Sequence, residues 1–292
     1  MEELHKPVLL SEVLEILHPK EGESYLDLTA GYAGHAGKIL AVTRNYKESV
    51  LVDRDSNAIN FLTKKYPLGE FGMEFLHEDF YNAAQSLIKC GKTFDMILAD
   101  FGVSSPQLDN SERGFSFIHD GKLDMRMDQT QDLSAETVVN HWSRERLIEI
   151  FETYGEESAG LARKHARMIV NKRPWRTTKQ LADALCPKGW FGRHPATRVF
   201  QAIRIAVNEE LTIIEKTLPL IPNLLKSDGR VAVITFHSLE DRLVKRYFKQ
   251  ASSLGEESVL EILTKTPVVA GMDELVINPR ARSAKLRAAR KK

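Results

Sequence analysis

The chain has 292 residues, 42% of them hydrophobic and 28% charged, with no low-complexity tract. It is too long for one compact core and too evenly mixed for a disordered or fibrous protein, so two domains are expected. A net charge of +1 argues against binding nucleic acid through overall charge, and two cysteines without any CxxC or His/Cys cluster argue against a disulfide framework or a metal site.

The first third alternates strand and helix signals. Strands are expected at 24–28, 49–52, 74–77 and 94–99. Helices are expected after Gly31 through Leu40, at 56–66 and near 83–89. This βαβα spacing predicts an α/β, doubly wound parallel sheet. Three predicted strands end at or beside a carboxylate: Asp27, Asp53 and Asp100. Ligands of such sheets bind at the carboxyl edge, so three acids there suggest a polyhydroxylated, cationic small molecule.

The strand pattern then stops for some 130 residues, too long for one crossover. Ser134 is placed to cap a helix at 135–142, and Ser143 one that includes Arg146 and Leu147. An amphipathic helix is expected at 156–171, with Leu161, Ala162, Ala166, Ile169 and Val170 near one face. Pro195 suits the first turn of another helix at 196–211. The expected organisation is a sheet domain of residues 1–104 and 211–292, with an inserted all-helical domain at 105–210. After an Asp228-Gly229 turn come a strand at 230–236, a helix at 240–250, and two closing antiparallel strands at 259–264 and 283–288. The last fifteen residues are strongly basic and hold no acid; a phosphate-contacting terminus and a solvated tail are both open. The N-terminus has no apolar leader segment and no stretch is long enough to span a bilayer, so no membrane association and a cytoplasmic location are expected.

The turn from Asp27 through Gly31, Ala33, Gly34 and His35 is similar to a nucleotide-binding turn, in which glycine lets backbone approach the ligand and a helix offers free N–H groups. Ala33 stands where a dinucleotide fingerprint has glycine. Asp53, about twenty residues on, is placed to accept ribose hydroxyls. Asp79 and Phe80 are candidates to bound an adenine. An acid-lined site suits S-adenosyl-L-methionine better than a dinucleotide, with Asp27 a candidate partner for its ammonium.

The run Ile97-Leu-Ala-Asp100-Phe-Gly-Val-Ser-Ser-Pro-Gln107-Leu-Asp109, then Arg113-Gly-Phe115-Ser-Phe117 and Asp120-Gly-Lys-Leu-Asp-Met-Arg-Met-Asp128, resembles the MraW/RsmH family of bacterial ribosomal RNA methyltransferases. So do His5-Lys-Pro-Val-Leu-Leu10, Tyr154-Gly-Glu-Glu157, the block His194 to Leu211, Phe236-His-Ser-Leu-Glu-Asp-Arg242, and Asn278 to Arg287. The resemblance implies a Rossmann-like methyltransferase sheet with a helical insertion for substrate recognition, S-adenosyl-L-methionine as cofactor, and methylation at N4 of a cytidine in the decoding region of 16S rRNA within the small ribosomal subunit. Cofactor contacts are then expected from Ala33, Gly34, His35, Asp53, Phe80, Asp100 and Gln107. The family usually shows Gly-Gly-His where this chain has Ala33-Gly34-His35; a positive φ at Ala33 would be strained yet tolerated.

Cytosine N4 is a poor nucleophile, because its lone pair is delocalised. A carboxylate or carbonyl that accepts from the amino group would localise it. Asp100 is the candidate catalytic residue; it equally suits the cofactor, and loop carbonyls are the other candidate acceptors. Methylation at C5 needs a thiolate, but Cys90 and Cys186 are read as small buried hydrophobes. Arg113 and Phe115 are candidates for phosphate contact and stacking of a flipped base. His237 is a candidate substrate contact, or else fills the turn before a helix capped by Ser238. Trp142, Trp175 and Trp190 are read as packing residues, while Lys172, Arg173, Arg176, Arg193 and His194 suit an RNA-facing surface. A methyltransferase for a protein or small-molecule amine and a non-catalytic assembly factor stand as rival readings. A homodimer is left open.

Overall fold

The structure is a computed structural model that describes residues 7–187, 191, 192, 194–253 and 258–292; His5, Trp190 and Arg193, named above, lie outside the described residues. The chain forms two compact units, one of Met1–Gly102 with Leu211–Lys292 and one of Val103–Glu210. Among the described residues no helix is long and apolar enough to cross a membrane.

The first unit is built on the strands β1 (Tyr25–Asp27), β2 (Val50–Asp53), β3 (Glu74–His77), β4 (Phe94–Asp100), β5 (Leu225–Thr235), β6 (Leu260–Ile262) and β7 (Lys285–Lys291). They form one sheet in the order β3-β2-β1-β4-β5-β7-β6. Strands β1 to β5 run parallel, and β7 runs antiparallel to both β5 and β6. This is the Rossmann-like sheet the sequence predicts. Its order reverses at β1, which pairs with β2 on one side and β4 on the other. A crevice opens beyond the carboxyl ends at such a point.

Successive strand residues point to opposite faces, and both faces are buried. Leu26, Val50, Val52, Ile97, Ala99, Val231 and Val233 share one core with Ala83 and Leu87 of the helix Phe80–Lys89 and with Val244 and Phe248 of Ser238–Ser252. Tyr25, Leu51, Met96, Leu98, Ala232 and Ile234 share the other with Val13 and Leu17 of Leu10–Leu17 and Ile39 and Leu40 of Gly34–Thr43. Each fully buried aliphatic side chain stabilises the fold by about 1.5–3 kcal/mol. The short, apolar, unalternating runs of the sequence are the direct consequence.

Two expectations at the end of the chain are corrected. Asp228-Gly229 is not a turn before the fifth strand but an irregularity inside it: Phe94 pairs with Leu225 and Met96 with Arg230. Asp228 takes φ 60°, and a Cβ at Gly229 would lie 2.8 Å from the Lys226 carbonyl oxygen and 3.1 Å from that of Phe94. Only glycine fits there. Most of the basic terminus is not a solvated tail. Lys285–Lys291 form β7, and three of its cations are engaged: Arg287 Nε lies 2.6 Å from Asp241 Oδ1, Arg290 2.6 Å from Glu261, and Lys291 Nζ donates to the Leu225 carbonyl at 2.8 Å, while Arg280 and Arg282 before the strand are exposed.

The second unit is helical. Ser134 caps Ala135–His141 and Ser143 caps Arg144–Thr153, each hydroxyl accepting a backbone N–H of the first turn, as the sequence predicts. The next helix starts at Ala159 rather than 156, because Glu156 adopts φ 50° and interrupts it. Ala162, Ala166 and Ile169 are buried with Val138, Leu147, Phe151, Trp175, Leu181 and Ile203. The helix Ala196–Asn208 stops short of 211 because Glu209 takes φ 51°. Trp175 is buried and Trp142 half-buried, which agrees with packing roles. The cysteines depart from expectation, since Cys90 is exposed and Cys186 half-buried.

Candidate active site

At the carboxyl edge of the first unit, period two brings Tyr25 and Asp27 to the same face of β1. The Tyr25 hydroxyl donates to Asp27 Oδ2 at 2.7 Å, and the Thr29 N–H donates to Oδ1 at 3.0 Å. Asp27 is almost wholly buried, and burial pushes its carboxyl up to about 6 against those two hydrogen bonds, with the negative Asp53 adding to the rise. Thr29 also ties strands together, its hydroxyl accepting the Asp100 N–H at 2.6 Å. The turn after β1 is stapled to β2 because the Gly31 N–H donates to Asp53 Oδ2 at 2.7 Å. The Asp55 N–H donates to Asp53 Oδ1 at 2.8 Å. Burial again dominates, pushing Asp53 up to about 6.

Ala33 takes φ 58°, ψ 36°, so alanine does occupy the left-handed region. The cost of that geometry for an L-residue is about 1–2 kcal/mol. The helix Gly34–Thr43 follows with no side-chain cap. His35, its second residue, is buried and clamped: Nε2 donates to the Val8 carbonyl at 2.8 Å, while Nδ1 faces Asp100 Oδ2 at 3.7 Å. A ring that donates through Nε2 has its Nδ1 lone pair toward the carboxyl in the neutral tautomer.

Asp100 is the unusual member of this group. Its Oδ1 is buried and has no hydrogen-bond partner among the described residues. Burial, and then the negative charges of Asp27 and Glu240, push its carboxyl well above the usual carboxylate range. The backbone beyond it is fixed. The Phe101 N–H donates to the Ile234 carbonyl at 3.0 Å, and Gly102 takes φ 110° with the Phe236 ring only 3.2 Å from where a Cβ would stand. The loop therefore leaves β4 on a path open to glycine and closed to larger residues.

Other predicted residues have structural partners of their own. Asp79 caps the helix Phe80–Lys89, accepting from the N–H groups of Tyr81 and Asn82. The Phe80 and Phe101 rings lie 5.2 Å apart. His237, rather than Ser238, is the cap of Ser238–Ser252; its ring accepts the Glu240 N–H, and Glu240 Oε2 accepts the Phe236 and His237 N–H groups at 2.7 and 3.1 Å. Gln107, Arg113 and Phe115 belong to the second unit. Gln107 forms a reciprocal capping box with Ser104. Arg113 is buried and donates to the Arg126 and Met127 carbonyls at 2.9 and 3.0 Å, and Phe115 lies in that unit's core.

The structure thus gathers Asp27, Asp53, Asp100, His35 and the Gly31–Gly34 turn at one edge of the first unit. Tyr25, Thr29, Val8 and Glu240 were not singled out in the sequence. Tyr25 and Thr29 carry a findable signal, a hydroxyl two residues either side of a strand-end carboxylate; Val8 acts through its backbone and Glu240 across a turn, and neither leaves one. The chemistry of the set fits a cationic ligand with hydroxyl donors: acceptor oxygens outnumber donors, and one buried acceptor awaits a partner.

Comparison with known proteins points the same way. The sequence profile described as the MraW methylase family matches residues 2–292. A ribosomal RNA small subunit methyltransferase H of Trichodesmium erythraeum is 46% identical over 292 residues, covering 98% of this chain and 99% of that protein. One of a Nostoc species is 48% identical over 294 residues, covering 98% and 92%. Among solved structures, an rRNA methylase from Streptococcus thermophilus matches with a TM-score of 0.44 and 9% identity, covering 97% of this chain and 93% of that one; so loose a likeness carries no argument.

Proposed function

This chain belongs to the MraW methylase family, and on that premise we propose that it methylates N4 of a cytidine in the decoding region of 16S rRNA, in the small ribosomal subunit or its precursor, in the cytoplasm. Methylation of small-subunit ribosomal RNA is the activity its relatives are named for. S-adenosyl-L-methionine is the cofactor, and when bound it supplies a methyl group activated on a sulfonium. The residues assigned to hold it are Asp53 for hydroxyl donors, the turn and helix start at Ala33, Gly34 and His35, Phe80 for the flat base, and Asp100. Gln107, and Arg113 and Phe115 as substrate residues, are carried by the family resemblance, as is recognition of RNA by the helical unit.

The observation that carries the N4 reading is the unpartnered Oδ1 of Asp100 at the end of β4. An amino group has a hydrogen for that oxygen to accept, which concentrates the nitrogen lone pair as the N–C bond forms. The same oxygen then takes the proton that the nitrogen must lose. A carboxyl held above the usual range is a better proton acceptor than an ordinary one when ionised. Clamping of His35 by Val8 keeps the imidazole beside Asp100 Oδ2 and away from free rotation. Carbon methylation finds less support, since Cys90 is separated from Asp100 by the whole length of β4. Mass mapping of 16S rRNA from cells with and without the protein tests the proposal. One cytidine is expected to lose a methyl group on N4; an unchanged modification map overturns it.

A further inference from the structure

Charge in the helical unit is segregated in a way the catalytic chemistry does not use. From Ser158 to Ala182 the sequence contains no acidic residue, yet it carries Arg163, Lys164, Arg167, Lys172 and Arg176 among its cations. The first three are exposed on the helix Ala159–Asn171. Together with Arg144 they line a groove of about 470 Å³ against the helix Arg144–Thr153, with Ile148 and Gly160 also in its lining. Glu145 also lines it and lies 3.4 Å from Arg144. Among the described residues no acid pairs with Arg163, Lys164 or Arg167, so the three charges have no structural employment within the unit. Trp142 stands close by in sequence, with the Arg146 guanidinium 3.5 Å from its ring centroid.

We propose that this groove is a docking surface for the phosphate backbone of an RNA segment. The proposal rests on the reading of the protein as a ribosomal RNA methyltransferase. Two physical points select a polyanion. Side chains this exposed hold a single phosphate weakly, because water and salt screen each pair. A polyanion instead gains from every cation at once, through release of its condensed counterions. Arg163 and Arg167 lie about one helical turn apart, about 6 Å along the axis, and Lys164 lies between them in sequence, about 100° round the helix from Arg163. Backbone contacts of this kind set register and affinity and leave sequence to be read elsewhere.

The test is the triple variant Arg163→Gln, Lys164→Gln, Arg167→Gln in the full chain. A second triple variant, Lys245→Gln, Lys249→Gln, Lys265→Gln, neutralises exposed lysines of the sheet unit. Binding of labelled oligouridylate is measured against salt by anisotropy, and methyl transfer to small subunits by steady-state kinetics. For the groove variant, the slope of log affinity against log salt is expected to shrink by about 2, at about 0.7 for each single-strand phosphate that is no longer neutralised. KM for small subunits should rise about tenfold with kcat unchanged, and the melting temperature and calorimetric affinity for S-adenosyl-L-methionine should match the parent. A parental salt slope in the groove variant, or an equal loss in the sheet-unit variant, overturns the groove as the docking surface. Tighter parental binding to anionic phospholipid vesicles than to RNA overturns it in favour of a lipid surface. A parent that binds S-adenosyl-L-methionine but no RNA overturns the underlying functional reading instead.

Discussion

Asp100 and Asp241 belong to the same unit, yet they have been treated in opposite ways. Asp241 meets Arg287 at 2.6 Å and Lys285 at 3.3 Å. Burial alone would raise it, but the Arg287 hydrogen bond and charge, with Lys285, hold it below the usual carboxylate range. Among the described residues Asp100 has the His35 ring at 3.7 Å as its nearest basic group, keeps an oxygen without a partner, and is pushed up. A carboxylate placed to hold β7 to its helix is satisfied by its own fold. Asp100, the acid proposed for chemistry, is left short of partners, a departure that costs stability.

The largest expected effect breaks the comparison at its functional end. Asp100→Asn removes the proposed proton acceptor and should lower methyl transfer to small subunits by about 100- to 10,000-fold, with no fall in melting temperature because Oδ1 has no hydrogen bond to lose. Near-normal turnover would remove the carboxylate role. Asp241→Ala should do the reverse. It leaves Arg287 buried without its partner and should cost about 3 kcal/mol by denaturant titration, while turnover of the folded fraction stays near the parent's.

A pH series sharpens the contrast. Asp27 has its folded value raised to about 6, against about 3.9 in an unfolded chain. Its contribution to stability is therefore fully present below the unfolded value and lost as pH rises through about 6. Asp241 runs the other way, contributing above its unfolded value and losing that contribution as pH falls through its lowered folded one. Asp27→Asn should flatten the decline between pH 4 and 6.5 by about 2–3 kcal/mol, measured as unfolding free energy across that range; an unaltered slope would show that the Asp27 carboxyl titrates normally. The smallest effect concerns the alanine in the left-handed turn. Ala33→Gly relieves its strain but adds chain entropy to the unfolded state, for a net gain of about 0.5 kcal/mol and a rise of about 1–2 °C in Tm.

Much of the fold was legible residue by residue. The strand Phe94–Asp100 ends within a residue of where its apolar run places it, since burial on both faces leaves a nearly unbroken apolar signature. Ser134 and Ser143 announced their helices because a cap is a local bond. Asp228-Gly229 misled for the same reason, its turn-like pair sitting at an irregularity in the pairing of β5 with β4. The breaks at Glu156 and Glu209 were also invisible, because glutamate carries no preference for the left-handed region.

Sequence by itself determined the alternation of strands and helices, the acids that end β1, β2 and β4, and membership of a family, for these are written in local pattern and in ordered blocks of residues. Tertiary structure alone decided what each charge does. It turned a basic terminus into a paired strand, made a histidine a helix cap, satisfied Asp241 and left Asp100 wanting a donor. The physical reason is that a side chain's charge state and partners are set by distance and burial, and both depend on residues far away along the chain.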